Sequence, residues 1–259
     1  MLDTIQYLLG AGSGVLVGFV LGLVGGGGSI LAVPLMVYLV GVPSPHVAIG
    51  TSALAVAANA LTGLLNHVRQ GNVKWRCSLV YAAAGIAGAF AGSTAGKAVD
   101  GQKLLFLFAI VMVVVGVLML RNRRREGDPS VVLGRENAPK LVGYGAGTGL
   151  FSGFFGIGGG FLIVPGLVAA TGMPMINAIG SSLVAVTAFG LTTAANYALS
   201  GLVDWALAGV FIVGGVAGGF LGAGLARRLS GTQGRLMTVF AGLIFVVAAY
   251  MLWKSAAAL

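Results

Sequence analysis

The sequence predicts an all-α polytopic membrane protein made of two inverted repeats of five helical segments each, the second segment of each repeat being short or broken. Three observations predict it. First, 58% of the 259 residues are hydrophobic and only 8% charged, and the mean hydropathy is +1.00, a balance suited to lipid rather than water as the surrounding solvent. Second, charge is absent between Thr4 and Asn66, His46 aside, and again between Leu141 and Val203, so each block can supply several spans. Third, the chain resembles itself. GGGGSILAVP from Gly25 reads against GIGGGFLIVP from Gly156, setting Pro34 against Pro165. After a one-residue gap, Ala48-Ile49-Gly50-Thr51-Ser52 matches Ala178-Ile179-Gly180-Ser181-Ser182, and Asn66, Gly71, Val73 and Trp75 match Asn196, Gly201, Val203 and Trp205.

The halves are residues 1–120 and 141–259, joined by the polar linker 121–140. Glycine, proline and charge divide the first half into apolar segments at about 4–24, 29–41, 46–66, 75–96 and 103–120. The second half divides at about 141–156, 161–171, 175–200, 205–226 and 236–253. The first segment carries Asp3 and no basic region before it, so it reads as a retained helix rather than a secretory leader. The second segment of each half, at ~1.5 Å per residue, reaches roughly 18 Å, well short of the ~30 Å hydrocarbon core. Irregular backbone beside it must therefore lie within the membrane, shielded by protein or water. Segments three and four are full length, and Trp75 and Trp205 at the starts of the fourth read as interface anchors.

Basic residues set the expected orientation. If the linker, with Arg121, Arg123, Arg124, Arg125, Arg135 and Lys140, is cytoplasmic and each half crosses an odd number of times, the halves are inverted. Arg69, Lys74, Arg76, Arg227, Arg228 and Arg235 then share its side, leaving Lys97, Lys103 and Lys254 outside. A parallel arrangement gives a weaker bias. Both chain ends are then expected outside, in a multi-pass protein of the plasma (inner) membrane. The +9 net charge is thus an orientation signal; a basic groove with interleaved aromatics, as nucleic-acid binding needs, is not visible.

The glycine-rich loop and Val-Pro pair, the Gly50-Thr51-Ser52 run and His67 shortly before Gly71, in duplicated form, resemble the sulfite exporter TauE/SafE family over nearly the whole chain. That resemblance implies a bacterial-type carrier for sulfite, sulfoacetate and other sulfur-containing anions. Read from the residues themselves, Gly25, Gly26, Gly27, Gly28 and Ser29, with Gly156, Gly158, Gly159 and Gly160, lead into a helix whose free N–H groups can cradle an oxyanion. Close helix packing is the alternative, and it is the preferred reading of scattered glycines such as Gly85, Gly88, Gly92, Gly218 and Gly222. Thr51, Ser52, Ser181 and Ser182 offer hydroxyl donors, or bond their own helix carbonyls. Asn66 and Asn196 are matched amides in an apolar setting, and His67 faces Tyr197 across the repeat. Asn59, Thr62, Thr187, Thr192 and Thr193 are further polar positions on segment three, some of them candidates to line a pathway.

The acidic residues, Asp3, Asp100, Glu126, Asp128, Glu136 and Asp204, fall at termini, loops or segment ends, which disfavours a carboxylate-coupled pump. There is no GxxxxGK[ST] loop for ATP, and Cys77 is the only cysteine, so no CxxC metal or redox motif exists. The expectation is a secondary or facilitated transporter working by alternating access, not an enzyme. It would use no cofactor and no metal, with the bilayer and a small anion as its partners. A carrier or channel for a neutral or cationic solute is the alternative, and a membrane enzyme or assembly subunit a third.

Overall fold

The structure, a computed structural model, describes residues 3–24, 26–121, 128, 131–158, 160–228 and 233–256. Gly25 and Gly159 of the two loops, and Arg123, Arg124 and Arg125 of the linker, lie outside the described residues. Among those described the chain is all helical, in ten helices. They are α1 (Thr4–Val24), α2 (Gly27–Leu39), α3 (Pro45–Arg69), α4 (Trp75–Ala98), α5 (Gly101–Arg121), α6 (Ala138–Phe155), α7 (Gly160–Thr171), α8 (Met175–Ala198), α9 (Trp205–Arg228) and α10 (Gln233–Ala256). Six of them, α1, α3, α4, α5, α8 and α9, are long and apolar enough to cross a membrane.

Local chemistry sets the helix ends. Ser44 caps α3, its hydroxyl accepting from the Val47 N–H, with Pro45 in the first turn. Asp204 caps α9 by accepting from the Leu207 N–H at 2.9 Å. The winding of α2 is irregular: a 3-10 stretch that begins one residue ahead of it, Gly26–Leu31, passes through an α turn at Ala32–Pro34 and ends as π over Leu35–Leu39. Pro34 sits where that winding changes, having no N–H to continue the regular ladder. Its counterpart α7 has 12 residues and contains Pro165. The two short helices touch, so the glycine loops of both halves converge inside the protein.

Glycines decide how the long helices associate. In α1, Gly14, Gly18 and Gly22 lie on the carbonyls of Phe211, Gly215 and Gly219 of α9 so closely that a Cβ would overlap them. In α6, the repeat-equivalent Gly145, Gly149 and Gly153 meet the carbonyls of Tyr81, Gly85 and Ala89 of α4 in the same way. Small residues at four-residue spacing let the backbones approach, which is how membrane helices gain dispersion contact without a hydrophobic drive. Gly88, Gly92, Gly218 and Gly222 belong to the same two seams.

The order of these contacts fixes helix direction. Residue numbers rise together along α1 and α9, and along α4 and α6, so the members of each pair run in the same direction. Helix α4 also runs alongside α8, from Lys74 and Ser181 at one end to Ser93 and Asn196 at the other. Helix α3 runs alongside α9, from Thr51 and Asp204 to Asn59 and Gly215. Helices α3 and α8 cross in opposite directions, Gly50 meeting Tyr197 and Gly63 meeting Leu183. Two trios result: α1, α3 and α9 point one way, and α4, α6 and α8 point the other. Each trio draws helices from both halves. Helices α5 and α10 pack mainly on each other. Large apolar side chains cover the outside, among them Phe90, Val213, Phe220, Leu221, Val246 and Trp253, as a lipid-facing surface requires.

A one-sided crevice and its closed counterpart

A crevice opens within the α1, α3 and α9 trio, with Leu183 of α8 at its side. Gly18, Gly22, Gly215 and Gly219 line its walls, while Asn59, Thr62, Asn66 and His67 supply its polar lining. Those four polar residues follow the i, i+3, i+4 spacing of one face of α3. Asn66 and His67 sit in its last turn, and Asn59 lies two turns deeper, near the helix midpoint. Thr62 donates its hydroxyl to the Ala58 carbonyl at 3.1 Å, and Gln70 donates weakly to Asn66 Oδ1 at 3.4 Å. His67 Nδ1 is buried without a partner.

Asn59 is 6% exposed, and neither Nδ2 nor Oδ1 of its amide has a hydrogen-bond partner. Leaving both ends of a buried amide unmade costs on the order of 1–3 kcal/mol per group. The side chain lies against Gly215, where any Cβ would strike it. The glycine makes room for the amide.

The repeat-equivalent region, in the α4, α6 and α8 trio at the opposite end, is closed. Phe189 stands where Asn59 would be; it packs on Gly85 and stacks on Tyr81 with ring centres 6.4 Å apart. Asn196, the counterpart of Asn66, is 7% exposed and fully engaged. Its Nδ2 donates to Ser93 Oγ at 2.6 Å and Thr94 Oγ1 at 3.0 Å. Lys97 Nζ donates to Asn196 Oδ1 at 2.9 Å, to its carbonyl at 3.0 Å and to Ser200 Oγ at 2.8 Å, and lies 5.9 Å from the Tyr197 ring centre. A charged donor on three oxygens makes stronger hydrogen bonds than neutral pairs do. This knot ties α4 to α8.

The remaining residues singled out in the sequence serve other purposes. Thr51 Oγ1 accepts from the Asp204 N–H and, at the equivalent place, Ser181 Oγ accepts from the Lys74 N–H, both at 2.9 Å. Each bond ties a long helix of one half to the loop before a long helix of the other. Ser52 and Ser182 donate to the carbonyls of Ile49 and Ile179, three residues back. Of the glycine loops, Gly156 ends α6 with φ 67° and Gly158 follows with φ 63°, a left-handed backbone suited to glycine. A Cβ at Gly156 would overlap Ile49, and one at Gly158 would press on Val56. Gly28 lies against the backbone of Leu21, and Ser29 is buried. The loops meet apolar neighbours, and the crevice lies beside them rather than between them. Gly26, Gly27 and Gly160 belong to the starts of the short helices, and Gly27 and Gly160 are not among the residues that line the crevice. Tyr197 is fully buried, its ring 6.4 Å from that of His46. Sequence reasoning set Asn59 behind the matched polar pairs. An amide at mid-span facing a glycine and lacking a polar repeat partner was the signal that marks it.

Comparison with known proteins agrees with this architecture. No solved structure matches the chain. A "Probable membrane transporter protein" of Xylella fastidiosa is 53% identical over 99% of both chains. The "Probable membrane transporter protein YunE" of Bacillus subtilis is 27% identical over 83% of this chain and 87% of its own, and a protein of the first name from Haemophilus influenzae is 29% identical over 73% and 72%. The family model described as sulfite exporter TauE/SafE matches residues 10–251. The family model spans most of the chain and the Xylella relative is similar end to end, so this chain is a membrane transporter of the sulfite exporter TauE/SafE family.

Proposed function

We propose that the chain is a secondary or facilitated transporter of small sulfur-containing anions (sulfite, sulfoacetate or other organosulfonates), acting by alternating access between two inverted repeats. The observation that carries this reading is the contrast between equivalent regions: the crevice is open at Asn66 and His67, while its counterpart is tied shut by Lys97 and Asn196. Two equivalent packings of one repeat, one open and one closed, are what rocking about a central site requires. Opposed helix directions in the two trios support inversion of the repeats.

Orientation follows from charge. The crevice opens at the end where α3 finishes with Arg69; Lys74, Arg76, Arg135 and Lys140 belong to the same end, and Lys97, Lys103 and Lys254 to the other. The positive-inside rule makes the crevice end cytoplasmic. The glycines lining it allow close approach and the Asn59 and Asn66 amides offer donors, which suits an anion, and a membrane potential negative inside drives such an anion outward.

The test is sulfite and sulfoacetate flux in proteoliposomes holding a negative interior potential. We expect saturable efflux from right-side-out vesicles, slowed about ten-fold or more by Lys97→Met, which removes the knot from the closed state. Folded protein that moves neither anion would sink the reading.

A further inference from the structure

The crevice asks for more than a negative charge. Asn59 is nine-tenths buried and presents a donor and an acceptor that the protein leaves unpaired. Whichever way the amide is turned, one end donates and the other accepts. The fold does not need an amide there, because Phe189 occupies the equivalent place against the equivalent glycine. A bare anion, rich in acceptors and lacking donors, would use Nδ2 and abandon Oδ1. Among the described crevice-lining residues none is acidic and none is Lys or Arg.

We propose that, among the anions it admits, the crevice favours an oxyanion that carries a hydrogen-bond donor of its own, an O–H or N–H beside the anionic group, with the Asn59 amide gripping both ends. Nδ2 donates to an oxyanion oxygen and Oδ1 accepts the ligand's hydrogen, while Asn66 and His67 line the path by which it enters. This deepens the transport reading above and rests on it. It separates substituted sulfonates from plain ones, which charge and size alone do not.

The probes are 2-hydroxyethanesulfonate and propane-1-sulfonate, which share charge and heavy-atom count and differ by a hydroxyl in place of a methyl. Binding to the purified full chain in detergent is read by calorimetry, and counterflow in proteoliposomes checks it. A site built to pair a hydroxyl rejects the analogue lacking it far more strongly than an apolar pocket discriminates by size. We expect wild type to favour the hydroxy-sulfonate about ten-fold or more, and Asn59→Leu, of nearly the same shape, to bring the ratio to about one. Thermal unfolding shows whether each variant is folded; Asn59→Phe, which repeats the pairing of Phe189 with Gly85, serves should the leucine variant fail. Equal binding of both sulfonates by wild type, or a preference that survives in either folded variant, overturns the proposal and leaves anion transport standing. Absence of sulfite and of both sulfonates from binding and flux overturns the anion reading with it.

Discussion

A hydroxyl's partner tells more than its repetition does. Thr51 and Ser181 are matched across the repeat, and that symmetry makes them attractive as ligands in the sequence. In the structure each accepts a backbone N–H at 2.9 Å and ties the halves together. Their conservation of place reflects a structural bond made twice. Replacing Thr51 with valine leaves the Asp204 N–H unpaired and should cost about 1 kcal/mol. Thr187→Val removes only a hydroxyl bonded to its own helix at Leu183 and should be close to neutral. Thermal unfolding of the two variants in the same detergent compares them. The crevice residues that differ between the halves are Asn59 against Phe189 and His67 against Tyr197. Symmetry-based reading passes over such positions, because a functional amide and a drifted one look alike until the surroundings are seen.

At the scale of the helix, spans and breaks were legible. Apolar length and glycine or proline punctuation gave ten segments, and the helices follow them within a few residues, short second members included. Helix partners were not legible, because spaced glycines mark a seam without naming the helix across it. Neither was the filling of the glycine loops. Consecutive glycines suggested a cradle, but Ile49 and Val56 close on Gly156 and Gly158. The seams make a prediction with two signs. A Cβ at Gly92 would overlap the Leu150 carbonyl, so Gly92→Val should destabilise by about 1–3 kcal/mol through forced separation of α4 and α6. Gly12 has nothing near its missing Cβ, so Gly12→Ala should stabilise by about 0.5–1 kcal/mol, since alanine loses less freedom in a helix. Unfolding midpoints measured side by side should move in opposite directions.

At the scale of the whole molecule, the two directions of the trios put the beginning of α1 and the end of α10 at one end and the linker at the other. Reporter fusions at each chain end, active only outside the cytoplasm, should both be active, and one inserted in the linker should be silent. A mixed result would require a different count of crossings. Charge alone led to the expectation of a cytoplasmic linker and both chain ends outside, because basic residues favour the cytoplasmic side. The sequence could not say that the halves share every large interface: α1 with α9, α4 with α6, α3 with α8 and α5 with α10. That sharing bears on ancestry. A half-length chain with this sequence pattern would find all of these surfaces on a second copy of itself inserted upside down. Its single gene product would need to enter the bilayer both ways in equal amounts. In the inverted arrangement proposed above, fusion through a basic linker fixes one copy each way and frees each copy to change alone. Asn59 on one side and Phe189 on the other are a difference that only a fused pair can keep apart.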